Sequence, residues 1–138
     1  VFTERGWHWG SLLNTEGFDL SRSVTSDRYH YIFNAIPERR FAPVDMTRRN
    51  NIAWEAVQAS YAAGGLSPLH ERLYFQNPRP IFELYDLTTD PFQLDNLAGE
   101  AEFEGIETDL RTELDRWMIR EGDYLPLPSD ILRTTSRD

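Results

Sequence analysis

Between Ala101 and Arg120 the apolar residues Phe103, Ile106, Leu110, Leu114, Trp117 and Met118 recur at helical spacing. That pattern fixes a long helix with one face to bury, and so demands a second layer to bury it against. Glu100 and Glu102 lie near its positive N-terminal end, Arg116 and Arg120 near its negative C-terminal end, and Gly122 stops it. Glu107 and Arg111 are spaced for an i,i+4 ion pair. The sequence just before the helix supplies the partner layer. Phe82, Leu84, Tyr85 and Leu87 form a short apolar and aromatic run of strand character. Thr88-Thr89-Asp90-Pro91 ends that run, because Pro has no N–H for a ladder and Asp bonds back to nearby backbone N–H groups. Asn96-Leu97-Ala98-Gly99 then makes a polar-capped bend into the helix.

Earlier in the chain, Ser21 to Ser26 and Arg28 to Asn34 read as a β-hairpin about Asp27. Its second arm alternates Tyr29, Tyr31 and Phe33 with His30, Ile32 and Asn34. Val1 to Glu4 is a further strand candidate, followed by a loop, Glu4 to Gly10, that carries Trp7-His8-Trp9 between two glycines. Ala35 to Asn50, with Pro37, Pro43 and four arginines, reads as an irregular connection. Asn50 or Asn51 caps a helix from Ile52 to Ala63 that Gly64-Gly65 ends, and Ser67 to Phe75 adds further helical turns. Pro78-Arg79-Pro80 stiffens the approach to the Phe82 strand. The expected fold class is therefore α+β, a small antiparallel sheet packed against a long C-terminal helix.

Composition removes several chemistries. Every one of the 14 basic residues is Arg and there is no Cys, so Lys Schiff bases, disulfides, thiolate metal sites and Cys nucleophiles are all absent. A net charge of −9 argues against nucleic acid as a partner. No apolar run approaches a membrane span and no leader pattern is present. The first residue is Val, and the expectation is a chain cut from something longer.

Three blocks carry a family resemblance. Phe82-Glu83-Leu84-Tyr85-Asp86-Leu87 through Asp90-Pro91-Phe92-Gln93 to Asn96-Leu97-Ala98 resembles the C-terminal end of the formylglycine-dependent sulfatases, with Gln93 where that family usually has Glu. Ser23-Val24-Thr25-Ser26-Asp27-Arg28-Tyr29-His30-Tyr31-Ile32 is similar to the family's hairpin, departing from it at Ser26 and at His30, where relatives carry Lys. Val1 to His8 is similar to the segment that re-enters the active-site rim. The resemblance implies a sulfatase C-terminal subdomain of the alkaline-phosphatase-like superfamily, spanning residues 1–123, with an irregular and helical insert at about 35–80 and an extension at 124–138. The insert and the Trp-rich loop look closest to the N-sulfoglucosamine sulfohydrolase (sulfamidase) type.

The same resemblance implies a missing N-terminal catalytic α/β domain as partner, a sulfated carbohydrate as substrate, and formylglycine and Ca2+ in that missing domain. It also implies a periplasmic, extracellular or lysosomal setting if the protein is typical. Formylglycine arises from Cys or Ser in Cys/Ser-x-Pro-x-Arg. The residues two before each Pro are Ala35, Phe41, Leu66, Gln76, Pro78, Thr89, Tyr124 and Pro126, so no catalytic residue and no metal ligand is expected in this chain.

The candidate substrate-binding residues are Glu4, Arg5, Trp7 and His8, as an imidazole and an aromatic wall beside a sugar. The alternative is that the two Trp residues pack at a subdomain seam. His30 and His70 form no ligand pair, His30 reading as a solvated strand residue, and Asp86 reads as a turn or cap residue. Arg39, Arg40, Arg48 and Arg49 form the one basic cluster, suited to a polysulfated glycan or simply to a solvated loop. A non-catalytic glycan-binding module, a structural piece awaiting a partner chain, and a phosphoester hydrolase of the same superfamily stay open.

Overall fold

A computed structural model describes residues 1–7, 18–40 and 52–123. Four strands, β1 (Phe2–Trp7), β2 (Phe18–Thr25), β3 (Tyr29–Asn34) and β4 (Phe82–Asp86), form one antiparallel sheet in the order β1-β2-β3-β4. Helices α1 (Ile52–Ala62) and α2 (Pro68–Phe75) lie between β3 and β4 in sequence, and α3 (Glu104–Glu121) follows a 3-10 turn at Ala101–Phe103. The fold is α+β, as the helix pattern requires. The chain divides into two compact units, one of Val1–Arg5, Leu20–Ala35 and Pro80–Asp138, the other of Gly6–Asp19 and Ile36–Arg79.

In the first unit the core lies between the sheet and α3. Val24, Tyr31, Leu84 and Leu114 are buried together, with Phe2, Phe33, Phe82, Leu110, Trp117 and Met118 around them. The registers Val24↔Tyr31 and Tyr31↔Leu84 explain why these residues meet: directly paired side chains share a sheet face, and this face takes the α3 stripe. Phe2 stacks on Trp117 at 5.2 Å and Tyr31 on Phe82 at 6.1 Å. The Tyr31 hydroxyl is buried with no partner among the described residues, and burial pushes its pKa up to about 12.

Local chemistry sets the ends of the elements. Ser26 Oγ accepts from the Tyr29 N–H at 2.9 Å, closing the hairpin. Gly122 adopts φ +67° after α3, where its N–H and that of Asp123 reach the carbonyls of Ile119 and Met118, a left-handed stop that favours glycine. Glu107 and Arg111 do not pair with each other. Glu107 Oε2 accepts from the Gly99 N–H at 2.8 Å, and the Arg111 guanidinium lies over the Phe82 ring at 4.7 Å. Both alternatives lie within reach of side chains whose mutual pairing is worth only about 0.2–0.5 kcal/mol.

The Asn96 bend completes β4. Asn96 Oδ1 accepts from the N–H groups of Leu84 (2.8 Å) and Ala98 (3.0 Å), while its Nδ2 donates to the Phe82 carbonyl (3.1 Å). The Leu97 N–H donates to the Leu84 carbonyl at 2.8 Å. One amide thus satisfies edge groups that an outer strand would otherwise need to pair. Asn96→Ala is expected to cost about 2–3 kcal/mol by leaving those groups unpaired, with Asn96→Asp costing less because its acceptors survive. Urea unfolding of the two variants checks the order.

The long helix expected from Ala101 begins at Glu104, its first three residues forming the 3-10 turn, and the extents of two strands differ as well. Strand β1 continues through Arg5, Gly6 and Trp7, which read as loop, and β2 begins at Phe18 rather than Ser21. Pairing of each strand with the other supplies order that local alternation does not show.

Candidate functional site

The four expected rim residues do not form one loop. Glu4, Arg5 and Trp7 belong to β1, and His8 lies outside the described residues, as do Trp9, Arg48 and Arg49. Phe2 packs toward α3. Strand alternation therefore puts Glu4 on the helix side and Arg5 on the opposite face. Glu4 is exposed and Arg5 half-buried, with the Arg5 carbonyl accepting from Arg22 Nη1 at 3.0 Å.

The sheet face opposite α3 carries a polar network that sequence reasoning did not assemble. Asn34 Nδ2 donates to Glu83 Oε1, and the Tyr85 hydroxyl donates to Glu83 Oε2. Register explains their meeting: Ile32 lies opposite Glu83 and His30 opposite Tyr85, so His30, Asn34, Glu83 and Tyr85 share a face. Asn34 and Tyr85 are buried. His30 is not the solvated residue expected. It is half-buried, and its Nδ1 donates to Gln93 Oε1 at 2.6 Å. Gln93 reaches it from a left-handed backbone, φ +58°. Two of the three positions where this sequence departs from the resembled pattern, His30 and Gln93, thus touch each other. The alternation of β3 pointed to this face, but its partners come from β4 and the turn beyond, 49 and 63 residues along the chain.

Asp86 is a turn residue, and also the anion of an ion pair. Arg28 Nε lies 3.1 Å from both carboxylate oxygens and Nη2 lies 2.6 Å from Oδ2, while the Thr88 N–H donates to Oδ1 at 3.0 Å. The Arg28 hydrogen bonds pull the Asp86 pKa down from 3.8 to about 2 against the opposing effect of burial, and the Thr88 N–H adds to the depression. Because the folded-state value lies below the unfolded one, this pair stabilises fully above the unfolded pKa and is lost as pH falls from about 4 toward 2. Denaturant midpoints are expected to drop across that window in the parent and less in Asp86→Asn. Asp90 has a similar turn role, its Oδ2 accepting from the N–H groups of Leu94 (2.7 Å) and Asp95 (2.9 Å).

In the second unit Ser67 caps α2, its Oγ accepting from the His70 N–H at 3.4 Å and lying 2.9 Å from His70 Nδ1, with Pro68 opening the helix. His70 also stacks on Tyr74. Of the basic cluster, Arg40 lies over the Phe75 ring at 5.6 Å. Outside it, Arg79 clamps Asp19 with Nη1–Oδ2 3.1 Å and Nη2–Oδ1 2.6 Å. Among the described residues no group of three or more His, Asp or Glu could hold a metal ion, and no helix is long and apolar enough to cross a membrane.

No family model matches the sequence. Two curated proteins of Formosa agariphila, each named an ulvan-active sulfatase, are similar to it. One is 36% identical over 115 residues, 83% of this chain and 19% of the relative. The other is 30% identical over 115 residues, 83% of this chain and 20% of the relative. The chain thus spans about a fifth of the length of the curated relatives it matches. Both similarities support a sulfatase C-terminal region.

Proposed function

We propose that this chain is the C-terminal subdomain of a sulfatase, a sulfuric ester hydrolase acting on a sulfated glycan of the ulvan kind. The observation that supports the reading is the similarity to two ulvan-active sulfatases across most of the chain. The sheet-on-helix layer is compatible with it. Residues 1–123 make the subdomain and 124–138 its extension. The partner is the protein's own N-terminal catalytic α/β domain, which supplies formylglycine and Ca2+.

The sequence has no Cys/Ser-x-Pro-x-Arg, and among the described residues no group of three or more His, Asp or Glu could hold a metal ion. No step through formylglycine or Ca2+ is assigned to this chain. Its share is packing and part of the cleft rim, from Glu4, Arg5, Trp7 and His8. A sulfamate substrate is the second reading, supported by the α1–α2 insert between β3 and β4.

In the whole gene product, mass spectrometry is expected to find a Cys or Ser upstream of Val1 converted to formylglycine. His8→Ala is expected to raise KM for the glycan roughly tenfold with little change in kcat, the signature of lost binding rather than lost chemistry. An unmodified upstream region would remove the sulfatase reading. Unchanged KM would remove His8 from the rim.

A further inference from the structure

We propose that Arg22 is a positioning residue for the cleft rim: it holds the backbone of β1 at Arg5 and so sets the direction of the Arg5 guanidinium. The inference rests on the sulfatase reading, in which Arg5 belongs to the rim. Strand β1 stands at the end of the sheet order with β2 as its neighbour, so its ladder bonds within the sheet fall on one side. The N–H and carbonyl of Thr25 pair with the carbonyl and amino group of Val1, each at 2.7 Å. Counting along the antiparallel ladder from that pair brings Arg5 opposite Ser21.

At that level one side chain spans both strands. Arg22 Nη1 donates to the carbonyls of Arg5 at 3.0 Å and Ser21 at 2.9 Å. Its Nε and Nη2 donate to the carboxylate of Asp123, just past the left-handed stop of α3 at Gly122. The guanidinium thus ties the β1 backbone to the end of α3 as well as to β2.

Strand alternation puts Leu20, Arg22 and Val24 on one face, and all three are buried. A third aliphatic side chain would serve stability there as well, since a buried ion pair seldom outweighs apolar packing of the same volume. What an aliphatic side chain lacks is direction. The N–H groups of a guanidinium lie in one rigid plane and fix where their acceptors sit. One of those acceptors is the Arg5 carbonyl, and the Arg5 side chain leaves β1 on the face opposite α3. A shift of the strand at that carbonyl carries the Arg5 guanidinium with it. A guanidinium grips a sulfate or carboxylate group through paired hydrogen bonds, and a misplacement of about 1 Å weakens such a grip.

The test is the affinity of the whole gene product for ulvan, read by electrophoresis in ulvan-containing gels, with KM and kcat for sulfate release. Arg22→Met is expected to weaken affinity and raise KM roughly tenfold with kcat little changed. Arg5→Ala should do the same. The double variant should lose no more than either alone, because Arg22 acts through Arg5. Arg22→Lys keeps a charge beside Asp123 but lacks the fork, so it should weaken affinity about threefold while losing less stability. It carries the test if the Met variant does not fold. Leu114→Ala loses core stability without touching β1 and should bind as the parent does, with circular dichroism showing which variants are folded.

Unchanged affinity in the folded Arg22 variants would overturn the proposal. So would a double variant weakened about a hundredfold, as two independent contacts would give. Equal weakening in Leu114→Ala would also overturn it, assigning the effect to lost stability. Sulfate release by the parent with unchanged affinity in the Arg22 variants would remove this proposal and leave the sulfatase reading. Binding that depends on Arg22 and Arg5 without sulfate release would do the reverse. No ulvan binding by the parent would remove both.

Discussion

Replacing Arg22 by Met is expected to destabilise the protein by about 3–5 kcal/mol, the range for breaking a buried ion pair from one side. The Arg22 side chain is 6% exposed and that of Asp123 10%. Arg22 Nε donates to Asp123 Oδ2, Nη2 donates to Oδ1 at 2.9 Å, and Nη1 donates to the carbonyls of Arg5 (3.0 Å) and Ser21 (2.9 Å). One guanidinium therefore joins β1, β2 and the residue just past the α3 stop, 101 residues away from it in the chain. Met fills similar volume but takes from the Asp123 carboxylate and from two carbonyls the hydrogen bonds that Arg22 donates. Pairing Arg22→Met with Asp123→Leu also removes the charge that Arg22 balanced, so the double variant is expected to recover much of the loss. Urea unfolding of both single variants and the double variant reads the coupling directly. Additive losses would mean that the two side chains act independently.

Leu114→Ala is expected to cost about 2–5 kcal/mol, from lost burial together with the cavity left behind. Leu114 is 1% exposed, in the cluster of Val24, Tyr31 and Leu84 that joins α3 to β2, β3 and β4. A rigid sheet on one side and a helix pinned at both ends leave little room for collapse into the vacancy, which places the loss toward the upper part of that range. Ile119, 79% exposed on the same helix, is the internal comparison. Its replacement by Ala is expected to change stability by no more than about 0.5 kcal/mol. Similar losses at both positions would contradict the assignment of the buried stripe.

The elements carried by local pattern were legible in the sequence. Leu110, Leu114, Trp117 and Met118 mark the buried face of α3 because helical periodicity depends only on near neighbours, and all four belong to or pack on the core. Ser67-Pro68 opens α2 for the same reason, since a cap and its helix lie within a few residues. What escaped depends on distant partners. Gly6-Trp7 shows no alternation, and its strand character comes from the sheet. A charged Arg22 on an apolar face is explained only by Asp123. The Asn34–Glu83–Tyr85 network needs the β3–β4 register, which the hairpin sequence alone does not set. At the candidate rim, alternation along β1 separates Glu4 from Arg5, a distinction invisible while the segment read as loop.

Whether the chain works as one part of a sulfatase is decided by one experiment. The direct measurement is inorganic sulfate released from ulvan by the whole gene product and, in parallel, by the 138-residue chain alone. Release by the whole product and none by the chain is the predicted result. Sulfate released by the isolated chain, or none released by the whole product, would contradict it.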